Sequence, residues 1–283
     1  MSNYISFKNK YEGIQEVLGT IKTEEKIAAT NIHFLKQRVF NLSSFNTELL
    51  AILSRFSYFY PSFNTTLTKN KIGSKNILII ITDDKGLVGS LYHNMITLLL
   101  DKKKEYHSVI VIGNKGVNYI KEERIYSDDL VSKPFNITSE IPSSTDIENI
   151  ISYVLNTYNK KDVKRIDILY PKFISLLQQM PIIVSLLPVN LHLEQKGGSG
   201  IPIFEGSKKD FFEWGIKTYL ETNLYKIFLE ANLSEFSART VAMEHAKTQA
   251  DERSLQYLHD YHKTKLKILT QRQLESFSSH KYL

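Results

Sequence analysis

Between Tyr11 and Phe56, apolar residues return at alternating three- and four-residue intervals. One series runs Tyr11, Leu18, Glu25, Ile32, Val39, Asn46 and Leu53. The other runs Ile14, Ile21, Ala28, Leu35, Leu42, Leu49 and Phe56. The second series is apolar throughout, and only Glu25 and Asn46 break the first. A seam sustained over this many heptads predicts a coiled coil. At 1.5 Å rise per residue the helix would be about 70 Å long. Polar residues in a seam cost stability but fix register. A second long helix is predicted over Ile216–Leu274, where neither Gly nor Pro interrupts the chain. Within it Ala231, Ala238, Ala242, Ala246 and Ala250 form a small-residue face that another helix could approach closely. A helix of that length needs a partner along its course. The helix at the other end of the chain supplies one, so the two are expected to form an antiparallel coil with the middle of the chain inserted between them.

The middle has a different rhythm. After a loop over Tyr60–Thr68, Asn76–Thr82 reads as a strand buried on both faces. Leu87–Asp101 is expected as a helix, Ser108–Ile112 as a strand and Lys115–Glu123 as a short helix. Asp146–Asn159 is expected as a helix capped by Thr145 or Asp146, with strands at Lys164–Tyr170 and Ile182–Leu187. Strand and helix alternating at these lengths predict a mostly parallel, Rossmann-like sheet covered by helices. Glu194–Gly200 reads as a flexible link. The expected fold is therefore α/β plus a long antiparallel coiled coil. The divisions are 1–59 for the N-terminal helix, 60–194 for the central domain, 195–208 for a linker and 209–283 for the C-terminal helical part.

Composition narrows the chemistry. The chain has 283 residues, 42% of them hydrophobic, which suffices for a real core. It has no Cys, which excludes disulfides, thiolate metal sites and cysteine nucleophiles. Apolar runs such as Ile77–Ile81 are too short to span a bilayer, and the start of the chain carries no targeting pattern, so an intracellular protein is expected. The formal charge is +6, but Arg supplies only 7 of the 36 basic residues. Arg is the residue of bidentate phosphate and base contacts, so no nucleic-acid partner is expected. A mild positive charge equally suits an acidic protein surface.

The candidates for chemistry are few. Thr82–Ser90 joins a strand to a helix, where phosphates bind in doubly wound folds, but it has neither phosphate-loop spacing. A tight turn using Gly86 and Gly89 is the plainer reading. Asp83 and Asp84 could converge in a turn, though nothing in the sequence supports a carboxylate dyad. His259 and His262 share a helical face without an acidic third ligand and read as an exposed or inter-helix pair. Lys263, Lys265, Lys267 and Arg272 form a basic run, either a solvated face or a contact for an acidic partner. The chain thus lacks catalytic furniture and carries two long helices, which favours a mechanical or scaffolding role.

Several segments together resemble the gamma subunit of F-type ATP synthases, the central rotor stalk. Thr82-Asp83-Asp84-Lys85-Gly86-Leu87-Val88-Gly89-Ser90-Leu91 resembles the family's T-[ST]-D-[RK]-G-L-C-G-x-L, with Val88 in place of the usual Cys. Ile112-Gly113-Asn114-Lys115-Gly116 is similar to I-G-x-K-G. Tyr170–Phe173, Gln179–Pro181, Leu186–Pro188 and Ile203–Glu205 follow in the family's order. Ser234–Met243 is similar to its S-E-x-x-A-R-M-x-A-M signature.

The resemblance implies a shaft whose terminal helices enter a hexamer of alpha- and beta-type ATPase subunits and whose rotation changes each catalytic site in turn. It implies a non-catalytic subunit, with ATP or ADP and Mg held by the partners and no cofactor on this chain. The central domain would meet an epsilon-type subunit and a c-ring. The protein would be peripheral, on the cytoplasmic side of a bacterial membrane that it reaches only through partners. Partner contacts are expected at Lys22, Lys26, Arg239, Lys263, Lys265, Thr270 and Gln271. Thr23–Asn31 keeps only the centre of the family's first-helix pattern, and Lys265-Leu266 stands where Arg-Gln is usual. These departures fit a divergent bacterial member, including a paralogue in a specialised rotary ATPase. A static coiled-coil adaptor and a small-molecule enzyme on the central domain are the alternatives.

Overall fold

The computed structural model describes residues 3–63, 65–69, 71–123, 125–126, 131–132, 135, 137, 141–160, 162–191 and 206–280. Two helices dominate: α1 (Asn3–Phe59) and α5 (Lys208–His280). Between them lie β1 (Lys75–Ile81), α2 (Leu91–Lys102), β2 (Ser108–Ile112), α3 (Asn114–Glu122), β3 (Val131–Ser132), α4 (Ser144–Tyr158), β4 (Val163–Phe173) and β5 (Gln179–Leu187). The chain divides into two compact units, one of residues 1–30 and 239–283 and the other of 31–238.

In the first unit α1 and α5 pair antiparallel. Tyr4 meets Tyr261, Phe7 meets Tyr257, and Gln15 Nε2 donates to Ser254 Oγ at 2.7 Å. Leu18, Ile21 and Ala28 are buried in this seam. Glu25, one of the two polar seam positions, lies 3.6 Å from Lys247 of α5. A polar residue in the seam is thus matched by a charge on the facing helix, which specifies register.

The second unit is built on a five-stranded sheet in the order β3-β2-β1-β4-β5. All neighbours run parallel except β5, which returns antiparallel from β4 along the edge. The sheet is buried on both faces, which explains why β1 is apolar at every position from Ile77 to Ile81. Ile77, Ile79 and Ile81 point to one face, covered by α1, α4 and α5, while Leu78 and Ile80 point to the other, covered by α2 and α3. The α1–α5 pairing is antiparallel here too. Phe56 stacks on Phe212 at 5.2 Å, and Asn46 Oδ1, the other polar seam position, accepts from Thr222 Oγ1. No position of either heptad series is exposed.

Several boundaries move for identifiable reasons. α5 begins at Lys208 and runs through Gly215, and the glycine is explained by packing: a side chain there would meet Leu53 Cδ2 at 2.6 Å. The close approach of the helices in this unit is therefore made at Gly215. α2 starts at Leu91 and not at Leu87, which has φ 65° and cannot begin a helix. The cap of α4 is Ser143, not Thr145 or Asp146. Its hydroxyl accepts from the Asp146 amide, and the Asp146 carboxylate accepts from the Ser143 amide. The link at Glu194–Gly200 and the Ile203–Glu205 segment lie outside the described residues.

Candidate functional site

The loop after β1 is the first place to look for chemistry, and its hydrogen bonds are already committed. The amides of Asn114, Lys115 and Gly116 open α3. Asn114 donates to Asp84 Oδ1 at 2.6 Å, Lys115 to the Asp83 carbonyl at 3.3 Å and Gly116 to Thr82 Oγ1 at 3.0 Å. These are the groups that a helix N-terminus would offer to a phosphate. Here the chain's own carboxylate, carbonyl and hydroxyl take them, and Asp84 would repel an anion. The cavity beside them is about 30 Å³, room for about one water.

Asp83 and Asp84 do not form a dyad: the Asp84 amide donates to Asp83 Oδ1 at 2.7 Å, and Asp84 turns away to cap α3. Gly89 has the left-handed φ of +59° expected of a turn glycine, but Gly86 does not, and Leu87 takes that role. The more constrained glycine is Gly113, with φ +94° and a virtual Cβ 2.0 Å from the Thr82 carbonyl oxygen. Gly116 is similarly tight against Thr82 Oγ1 at 2.8 Å. The glycine pair of Ile112–Gly116 thus seats α3 on the end of β1.

A wider recess of about 260 Å³ is lined by Ser144, Ile147, Glu148, Glu221, Thr222 and Tyr225. These lining residues include two carboxylates, Glu148 and Glu221, but no His, Lys or Arg to act as an electrophile. Among the described residues, no three His, Asp or Glu converge to hold a metal ion.

The expected partner contacts all fall in the first unit. Lys22 and Lys26 are exposed and one helical turn apart on α1. Lys263, Lys265, Thr270 and Gln271 are exposed on α5. Lys265 Nζ lies 5.5 Å from the Tyr261 ring centre, and Gln271 Nε2 donates to Glu275 Oε1 at 3.1 Å. Arg239 differs from the rest, being only 3% exposed. His259 and His262 are both exposed. The heptad reading gave no weight to Val17, Ile27, Leu255 and Leu266, apolar residues exposed outside the seam. Their signal was apolar character off the heptad positions.

A further group of buried polar residues lies on α5 where it crosses the second unit. Glu230, Ser234, Glu235 and Ser237 are buried there. Glu230 Oε2 accepts from the Tyr170 hydroxyl at 3.0 Å, and Glu235 Oε1 from the Tyr92 hydroxyl at 2.8 Å. Burial first, and then the carboxylates, push both phenols well above their ordinary range, so both are donors at any working pH.

The described residues combine an antiparallel pairing of two long helices with a mostly parallel α/β domain, and the N-terminus of α3 is closed by the chain's own groups. Residues 3–275 match the family described as ATP synthase, and the chain belongs to that family. It is 24% identical over 284 residues to the ATP synthase gamma chain of Polynucleobacter necessarius, covering 95% of this chain and 96% of that one. It is 30% identical over 191 residues to the ATP synthase gamma chain of Clostridium novyi, covering 65% and 66%. The fold is similar to the central stalk and c-ring structure of Tetrahymena thermophila mitochondrial ATP synthase, with TM-score 0.55, 17% identity, and coverage of 80% of this chain and 99% of that one. It is also similar to the rotor of Euglena gracilis mitochondrial ATP synthase, with TM-score 0.51, 18% identity, and coverage of 89% and 99%.

Proposed function

We infer that this chain is the central rotor shaft of an F-type rotary ATPase. The observation that carries the reading, beside family membership, is the α1–α5 coil. Its heptad positions are turned inward in both units, while Lys22, Lys26, Lys263 and Lys265 stand outward. A hexamer of alpha- and beta-type nucleotide-binding subunits would surround the coil and meet these residues with Thr270 and Gln271. Exposed Val17, Ile27, Leu255 and Leu266 suit a close protein sleeve better than open water. Arg239, being buried, would act by shaping α5 rather than by direct contact.

ATP, ADP and Mg would reside on the partners, and this chain would bind no cofactor of its own. Asp84 at the start of α3 supports that division of labour and weakens the enzyme alternative. The central domain would meet an epsilon-type subunit and a c-ring. Among the described residues no helix is long and apolar enough to cross a membrane. The protein would reach the cytoplasmic face of a bacterial membrane through its partners.

Native purification of the tagged chain tests this reading. The expected result is an ATP-hydrolysing complex with one copy of this chain for six larger subunits. A lone chain with no ATPase attached would overturn it.

A further inference from the structure

Helix α5 is buried almost without interruption from Ile227 to Ala238, with only Asn232 half-exposed. Apolar packing alone holds such a helix by shape, since the hydrophobic effect has no direction. Two directional bonds add to it. Tyr170 stands on β4 and belongs to the core on one sheet face, whereas Tyr92 stands on α2 and belongs to the core on the other. Their acceptors, Glu230 and Glu235, are five residues apart. On an α-helix that separates them by about 140° around the axis and about 7.5 Å along it. A single bond fixes one point of α5 and by itself does little against rotation about that point. Two bonds so placed oppose both rotation and sliding.

The Tyr92 hydroxyl is itself anchored, accepting from the Asp83 amide at 3.0 Å. A chain of bonds thus runs from the end of β1 through Tyr92 to α5. Carboxylates this buried are costly unless paired, and an ordinary scaffold would use apolar residues at these positions.

We infer that Tyr92 and Tyr170, through Glu235 and Glu230, clamp α5 to the central domain so that the domain turns with the helix under load instead of slipping on it. This rests on the rotor-shaft reading and names the residues that carry torque between helix and sheet. They are positioning residues and touch no nucleotide.

The test uses the full chain assembled with its own ATPase subunits. Because the chain has no Cys, Lys104→Cys on the exposed surface of the central domain gives one attachment point for a bead. Rotation of the bead is followed under increasing load while ATP hydrolysis is measured. Tyr92→Phe and Tyr170→Phe keep the rings and remove the hydroxyls. Each is expected to raise the frequency of slips under load about fivefold, with unloaded hydrolysis unchanged. The double variant is expected to slip more than either.

Glu235→Gln, which keeps an acceptor oxygen, is expected to hold load like the parent. Tyr158→Phe is the control for lost stability. Tyr158 is fully buried in the same unit, but its hydroxyl donates to the Thr66 carbonyl at 3.3 Å and not to α5. Parental load-bearing in both single tyrosine variants overturns the clamp, as does equal slipping in Tyr158→Phe. If the double variant does not fold, the single variants decide. A parent bead that never turns while ATP is hydrolysed would instead overturn the rotor reading itself.

Discussion

The two units use the same pair of helices in different ways. In the first, α1 and α5 pair with each other along a seam that, among the described residues, has Leu18, Ile21 and Ala28 inside and lysines such as Lys22 and Lys26 outside. In the second, the same helices become part of a core that covers a whole face of the sheet, and α5 is enclosed from Ile227 to Ala238 almost all round. A helix that is hidden on every side serves as a mount, whereas one with a free outer face is available to partners. The polar seam positions follow the same division. Glu25 pairs with Lys247 near solvent, while Asn46 is 94% buried and accepts from Thr222.

The largest effect that would separate the units comes from Ala28→Pro. Ala28 is 1% exposed in the interior of α1, and proline there removes a helical donor and kinks the helix, at about 3 kcal/mol or more. Thermal melting should show the coil transition lost or lowered while the sheet unit keeps its own transition. Concerted loss of both would contradict the division. Gly113→Ala should act in reverse. With φ +94° and its Cβ against the Thr82 carbonyl, it should destabilise the central unit by roughly 1–3 kcal/mol and leave the coil transition in place.

A smaller effect, of opposite sign, is expected at Asp167. It is buried on β4, accepts from the Tyr106 hydroxyl at 2.7 Å and lies 2.7 Å from Arg165 Nε. Burial raises its carboxyl above the ordinary 3.8, and outweighs the lowering by Tyr106 and Arg165. A raised folded value means that the protonated form is favoured in the native state. Its contribution is fully present below 3.8 and is lost as pH rises through the raised value. Asp167→Asn should therefore be at least as stable as the parent at neutral pH, with a flatter dependence on pH above that point. Denaturation curves across that range would show it, and a large loss at neutral pH would mean that the Arg165 pair dominates. The smallest effect is Glu25→Ala. Both partners of that pair are about 30% exposed, so the change should cost about 0.5 kcal/mol or less and shrink further in salt.

The coil was legible because its signal is periodic and local: fourteen positions at three-and-four spacing all proved unexposed. The parallel sheet was legible for a related reason, since a strand such as Ile77–Ile81 that is apolar on both faces must be covered on both. What escaped depends on contacts between distant residues. Gly215 looked like a helix boundary, and only its contact with Leu53 explains a glycine inside α5. The glycines of the first turn drew attention, whereas Gly113 and Gly116 are held by Thr82, more than 30 residues earlier. Leu87 in a left-handed conformation has no local signature at all. The Tyr92–Glu235 bond spans 143 residues. The Ser234–Met243 segment could be recognised as a signature, but its reason for carrying Glu235 became visible only in the fold.

The most direct test of the rotor reading is to stop the shaft. Lys26→Cys places a single thiol on the exposed face of α1 in an otherwise Cys-free chain. A cleavable photocrosslinker on that thiol, activated in the assembled complex, would tie the coil to whichever ATPase subunit surrounds it. The account predicts that ATP hydrolysis stops in proportion to the crosslinked fraction and returns when the link is cleaved. Hydrolysis at the parental rate in fully crosslinked complex would contradict it, and would leave this chain a static adaptor.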